Sequence, residues 1–166
     1  MTFHPILMAV MLTAAAVAGA AAPAAAQSAP PADDASARVR LNESSRHGEY
    51  VDIAVPGRPT PIRAFVVYPE VATKAPVVIV LHETYALTDW MRGIADQLAA
   101  DGFIAIATDL TGAASKTPND AALQTVHAYG AKLPAATGKT TILPLQGPPG
   151  VENWAGTLAS LRQQVK

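Results

Sequence analysis

Residues 76–109 read PVVIVLHETYALTDWMRGIADQLAADGFIAIATD, and this stretch decides the fold class. Pro76 to Leu81 is apolar at every position, the pattern of a strand buried on both faces of a sheet. Thr88 to Asp101 then changes period: Trp90, Met91, Ile94, Ala95, Leu98 and Ala99 fall on one helical stripe, with Asp89, Arg92, Asp96 and Gln97 off it. Thr88 suits an N-cap, Asp89 suits the positive end of the helix, and Gly102 suits the position just past its end. Phe103 to Ala107 (FIAIA) is a second fully apolar run, closed by Thr108-Asp109. Strand, helix and strand in this order make a βαβ unit, so the class is α/β with a parallel sheet.

The flanking sequence extends that unit. On the N-terminal side, Tyr50 to Val55 and Ile62 to Tyr68 read as two short strands. The Pro56-Gly57 turn between them predicts an antiparallel hairpin. On the C-terminal side, Asp120 to Lys132 reads as a helix with Ala122, Leu123, Val126 and Tyr129 along one face and Asn119 as its N-cap. Thr140 to Leu145 is a poorer strand, because Pro144 argues against a full central position. Glu152 to Gln164 closes as an amphipathic helix on Trp154, Leu158 and Leu161. Three helices over about five strands are expected to leave apolar sheet exposed, which a homodimer would bury.

Composition bounds the function. The 166 residues carry 12 Lys and Arg against 13 Asp and Glu, a net charge of −1. Nucleic acid is not an expected partner, since neutralising phosphates takes a basic patch. The absence of cysteine removes disulfides, thiolate metal sites and a thiol nucleophile together. With only four histidines, one of them at position 4, no metal site and no cofactor are expected.

Residues 1–26 contain no charged side chain; Ile6 to Ala22 is mostly apolar, and Ala24-Ala25-Ala26 precedes Gln27. This is the pattern of a cleaved secretory signal, with a periplasmic or secreted mature chain and no membrane contact after cleavage. The competing reading is a membrane anchor, for which seventeen weakly apolar residues are short. Residues 27–46, rich in Ser, Ala, Pro and Asp, read as a disordered tether. The α/β domain is expected over residues 47–166.

In open α/β sheets, ligands meet the loops that leave the C-terminal ends of the strands. The loop after the first buried strand holds His82, Glu83, Thr84, Tyr85 and Ala86. A carboxylate so soon after an all-apolar strand needs a partner or solvent, so Glu83 is either a functional group or a loop residue facing water. His82 has only its position to recommend it and reads as structural.

From about His47 to Gly112 the sequence resembles the dienelactone hydrolase family of the α/β-hydrolases, including exported members. The resemblance is carried by HGEYVDIAV, a strand ending in YPE, APVVIVLHE, LTDWMRGIADQLAADGF and IAIATDL. It implies a partial α/β-hydrolase fold and hydrolysis of a small ester or lactone through an acyl-enzyme. It further implies that Glu83 controls the nucleophile's protonation and that the Thr84 backbone N–H is one of two oxyanion donors. Tyr85 fits the aromatic common at the next position. Thr84 departs from the usual bulky apolar residue, and Ala86 from the usual glycine.

The resemblance implies a nucleophile on a sharp strand-to-helix turn, followed later by an acid and a histidine. Its continuation through YGAKLPAATGK puts Gln146 where that nucleophile belongs, and Gln offers no oxygen or sulfur to activate. Pro148 and Pro149 follow Gly147, and each removes an N–H that a helix start would offer an oxyanion. No His and no Asp occur after position 146. The C-terminal ENWAGTLASLRQQ resembles the family's last helix, so several dozen residues are expected to be lost between Gln146 and Val151. Among other groups, His47, His82 and His127 have Thr84, Thr108, Thr111 and Ser115 as possible hydroxyl partners, none on a glycine-flanked elbow. His127 reads as a surface or packed helix residue, and Asp109 as a carboxylate that orients its loop. Thr137-Gly138-Lys139-Thr140 lacks the earlier glycine of a phosphate loop, because position 133 is Leu. The sequence thus predicts a hydrolase by descent that is catalytically incomplete; a non-catalytic binding or accessory domain and a non-functional fragment are the alternatives.

Overall fold

The computed structural model describes residues 29–82, 85–110, 120–145 and 153–166. The elements in chain order are α1 (Asp34–Glu43), β1 (Gly48–Ile53), β2 (Ile62–Val67), β3 (Ala75–Leu81), α2 (Asp89–Ala100), β4 (Ile104–Asp109), α3 (Asp120–Ala131), β5 (Ala136–Pro144) and α4 (Trp154–Gln164). The strands form one five-stranded sheet in the order β1-β2-β4-β3-β5. The first two pairings, β1 with β2 and β2 with β4, are antiparallel, while β3 runs parallel to both β4 and β5.

The hairpin forms where the turn chemistry puts it. Arg58 N–H donates to the Val55 carbonyl at 3.1 Å, and Gly57 takes φ 78°. That is a type II turn, with proline fixing the first central position and glycine supplying the positive φ at the second. β1 occupies residues 48–53 rather than 50–55, while β2 starts at Ile62 as expected and ends at Val67, one residue early. Gly48 pairs with Val67, and the Phe65 ring fills the space a Cβ on Gly48 would occupy.

The βαβ unit stands as its sequence dictates. Thr88 Oγ1 caps α2 by accepting the Met91 N–H at 3.2 Å, and Gly102 beyond the helix takes φ 90°. All six residues of the apolar stripe are buried. The period-2 geometry of the central strands divides the core in two. Phe65, Val67, Val78, Val80, Ala105 and Ala107 lie under α2 and α4. Ala64, Val66, Val77, Ile79, Ile104 and Ile106 lie under α3. The fully apolar runs are therefore strands covered on both faces, and the apolar sheet expected to lie exposed is instead covered. Ile142 and Leu143 on β5 are half-buried, and Tyr50 on the edge strand β1 is the exposed large apolar residue among the strands.

Two other expectations change. Residues 34–43, inside the stretch read as a disordered tether, form α1. Asp33 caps it, accepting the Ser36 N–H at 2.8 Å, and Ala37 is fully buried. The helix buries one small residue and makes the Arg38–Asp89 ion pair, so it has no apolar period for a sequence pattern to reveal. Strand β5 starts at Ala136, four residues earlier than expected. Its register against β3 is irregular between Ala75 and Val77, and Gly138 with φ 84° takes up the extra length. Pro144 is its last residue, where a missing N–H is tolerated.

The C-terminal helix α4 is docked by specific contacts. Asn153 Oδ1 caps it by accepting the Gly156 N–H at 3.1 Å. Trp154 Nε1 donates to Asp101 Oδ2 at 3.0 Å, Arg162 Nη2 donates to the Asp101 carbonyl at 3.4 Å, and Thr141 Oγ1 bonds Gln164 Oε1. No described helix is long and apolar enough to cross a membrane.

Candidate functional site

The parallel strands β3, β4 and β5 end together, and their ends define the candidate site. Leu145 N–H donates to the Leu81 carbonyl at 3.3 Å, so the exits of β5 and β3 lie side by side. Leu81 pairs with Thr108, which sets the end of β4 against the other flank of β3. His82, half-buried, follows β3, and Asp109 closes β4 opposite Arg63. Glu83 and Thr84, the implied carboxylate and oxyanion donor, lie outside the described residues, as do Gln146, Thr111, Ser115 and Asn119.

The second half of the β3–α2 loop is described. Tyr85 is 81% exposed. Ala86 takes φ 62°, the only non-glycine residue with positive φ among the described residues. An alanine here adopts the left-handed conformation, at the position where the resemblance expects a glycine, at a steric cost of about 1 kcal/mol. Thr88 N–H closes a tight turn on the Ala86 carbonyl at 3.0 Å before its side chain caps α2.

The first turn of α2 carries the charge of the site. Asp89 accepts from Arg92 and, at 3.1 Å, from Arg38 Nε of α1. The Arg92 hydrogen bond, with Arg38 adding to it, holds the Asp89 carboxyl below the usual carboxylate range. The Arg92 guanidinium sits over two rings, 5.5 Å from the centre of Phe65 and 5.8 Å from that of Tyr50. Arg63 stacks on the same Tyr50 ring at 4.8 Å.

The three histidines are not brought together. His47 stacks on Tyr68, with ring centres 5.6 Å apart, at the opposite end of the sheet from His82. There Glu49 accepts the Tyr68 hydroxyl at 3.2 Å, and burial, then Glu49, pushes that phenol up to about 12. His127 is half-buried on α3, its Nδ1 2.5 Å from Thr140 Oγ1, so it is a packed helix residue with a specific partner. Thr108 is excluded as a nucleophile: it is fully buried, and its hydroxyl donates to the Val80 carbonyl at 3.3 Å. Among the described residues no group of three His, Cys, Asp or Glu side chains is placed to hold a metal.

Sequence reasoning missed Arg38 and Thr140. Arg38 lies in the segment read as tether, 51 residues from Asp89. Thr140 meets His127 only because β5 begins early, and no local pattern announces either contact.

A hairpin running into parallel strands whose C-terminal ends lie side by side is an arrangement shared with α/β-hydrolase folds. The sequence profile of the dienelactone hydrolase family matches residues 62–141, so this part of the chain is similar to that family. A solved structure of a candidate dienelactone hydrolase from Klebsiella pneumoniae subsp. pneumoniae superposes with a TM-score of 0.52 at 18% identity, covering 61% of this chain and 50% of that one. At that identity the likeness speaks for the fold alone. A dienelactone hydrolase-like promiscuous phosphotriesterase from metagenomic libraries (TM-score 0.46, 21% identity, 60% and 49% covered) and a hyperthermophilic esterase from the archaeon Pyrobaculum calidifontis (0.47, 18%, 80% and 46%) are similar more distantly. The chain spans about half the length of each of these structures. No curated protein sequence matches it.

Proposed function

We propose that this chain is a hydrolase of the ester and lactone class by descent, in which the loop after β3 remains the substrate-facing element but acyl transfer is incomplete. Glu83 and the Thr84 N–H are the retained helper groups, and Gln146 stands where a nucleophile belongs. One observation carries the reading: β5 and β3 end side by side at Leu145 and Leu81. The segment that leaves there, residues 146–153, reads QGPPGVEN and contains no hydroxyl or thiol. An internal loss of several dozen residues at this join accounts for both the missing elbow and the close approach of α4 in sequence. Cleavage of residues 1–26 and export to the periplasm complete the proposal.

The test is turnover of p-nitrophenyl acetate by the full chain beside a Glu83→Ala control, with a fluorophosphonate probe mapped by mass spectrometry. Equal background rates and no stoichiometric adduct support the proposal. A single labelled side chain, or a rate that falls on Glu83→Ala, overturns it.

A non-catalytic ligand-binding role for the same loop is favoured by one feature, the 81% exposed Tyr85 beside Ala86. Saturable thermal shifts with small esters or lactones, without hydrolysis, would support this second reading. Loss of the shift on Tyr85→Ala would locate the site.

A further inference from the structure

The outer face of α2 is covered by a segment held by a few small apolar contacts and by a largely buried ionic one. In α1 and its flanks, Pro31, Ala32 and Ala37 are buried and Leu41 is half-buried, while Val39, the bulkiest β-branched residue of the helix, is 56% exposed. Ala37 rests on Gly93 of α2, where an added Cβ would come 3.6 Å from the Ala37 Cβ. The rest of the attachment is ionic. Arg46 grips Asp96 at two points, Nη2 to Oδ2 at 2.6 Å and Nε to Oδ1 at 3.0 Å, and Ser44 Oγ donates to Asp96 Oδ1 at 2.5 Å. The Arg46 and Asp96 side chains are 21% and 12% exposed, while the second pair, Arg38 with Asp89, is largely solvent-facing on the Arg38 side. A cavity of about 200 Å³ runs between the two helices beside Arg40, Arg46 and Asp96. On the other side of α2 the sheet is filled by Val78, Val80, Ala105 and Ala107, none of them from this segment.

We propose that residues 31–46 are a polar-latched strap that opens from α2 as a unit of its own while the sheet stays folded. Its latch is Arg46–Asp96–Ser44. Segments with few buried apolar contacts open below the global unfolding free energy, and neutralising one partner of a largely buried ion pair leaves the other uncompensated. The strap also reaches the candidate site. Arg38 leaves with it, so Asp89 in the first turn of α2 then keeps Arg92 alone, and the turn that Thr88 caps is loosened. The importance of that link for a ligand rests on the role proposed above for the loop; the opening itself needs neither hydrolysis nor ligand to be measured, so the two readings fail separately.

Native-state hydrogen exchange on the full chain tests the strap, comparing the amides of residues 38–43 with those of 77–80 and 104–107. In the unaltered protein the strap amides are expected to exchange at least a hundredfold faster than the central strands. Asp96→Asn should speed the strap by about tenfold, carry the Met91 and Arg92 amides with it, and leave the strands unchanged. The double variant Arg46→Met with Asp96→Leu replaces the charges by an apolar contact and should return the strap to the unaltered rate or slower. Exchange of strap and strands at one common rate, or equal acceleration of both by Asp96→Asn, would overturn the proposal. A double variant that opens the strap as far as Asp96→Asn does would overturn the ionic latch. Met91 and Arg92 amides that stay unchanged while the strap opens would overturn its link to the loop.

Discussion

Leu145 and Leu81 are joined by a backbone hydrogen bond of 3.3 Å across the ends of β5 and β3. This bond makes the segment after β5 and the loop after β3 neighbours at their roots, and it gives a direct probe of the join. The chain has no cysteine, so Gln146→Cys introduces a unique thiol directly after Leu145. Iodoacetamide labelling reads out how accessible that thiol is. Turnover of p-nitrophenyl acetate should stay at background, since a thiol without a base and acid is only a weak nucleophile. Multiple turnovers by this variant would mean that His82 or another group already serves as the base, and would narrow the incompleteness to the missing nucleophile alone.

Gly130 of α3 and Gly93 of α2 give opposite predictions. A Cβ on Gly130 of α3 would come 3.0 Å from Ile106 Cδ1 and 3.1 Å from Val77 Cγ1. Gly130→Val should therefore overpack the α3 face of the sheet and cost about 1–3 kcal/mol. At Gly93 the nearest neighbour of a new Cβ is at 3.6 Å, an ordinary contact. Gly93→Ala removes a flexible residue from the middle of a helix and should add about 0.5–1 kcal/mol. Urea denaturation of both variants checks the pair; a loss at Gly93 as large as that at Gly130 would mean that α1 sits closer on α2 than described.

The βαβ unit was legible because its signals are redundant. Period, cap and terminal glycine agree over residues 76–109, and each is a local rule. The candidate loop was legible as a place, since strand ends are where such sheets bind ligands, and the left-handed Ala86 falls at the position where the resemblance expects a glycine. What the letters could not reveal is held by distant pairs. Nothing near Arg38 or Arg46 announces Asp89 or Asp96, some fifty residues away. The early start of β5 depends on a bulge at Gly138, which sits in a run of polar residues that reads as loop.

Ala86 should respond to substitution according to backbone conformation rather than contact. At φ 62° a glycine pays no Cβ penalty, whereas a β-branched residue is strongly disfavoured. Ala86→Gly is expected to be neutral to stabilising by about 1 kcal/mol, the relief of strain being partly offset by the freer unfolded chain. Ala86→Val should destabilise by about 1 kcal/mol or more. Thr88→Ala, which removes the α2 cap two residues later, should cost about 1 kcal/mol. Thermal melts in which valine and glycine at 86 behave alike would show that the loop does not hold its left-handed turn in solution.

Tyr68 provides a pH prediction whose sign follows from its surroundings. Burial, then the Glu49 carboxylate and the hydrogen bond to it, raises the phenol from 10.0 to about 12 in the folded protein. Between these values the unfolded chain loses the phenolic proton while the folded one keeps it, so unfolding releases a proton and stability falls as pH rises. The contribution of the neutral phenol is complete below pH 10 and is lost as pH passes through 12. Tyr129, also raised by burial and then by Glu49, adds to the same slope. Tyr68→Phe keeps the ring under His47 but has no proton to lose, so its stability should decline less steeply than the unaltered protein's over that window. Glu49→Gln should flatten the slope in part, because it removes the charge and leaves the burial. Parallel stability curves for all three proteins from pH 9 to 12 would mean that the Glu49–Tyr68 contact is not formed in solution.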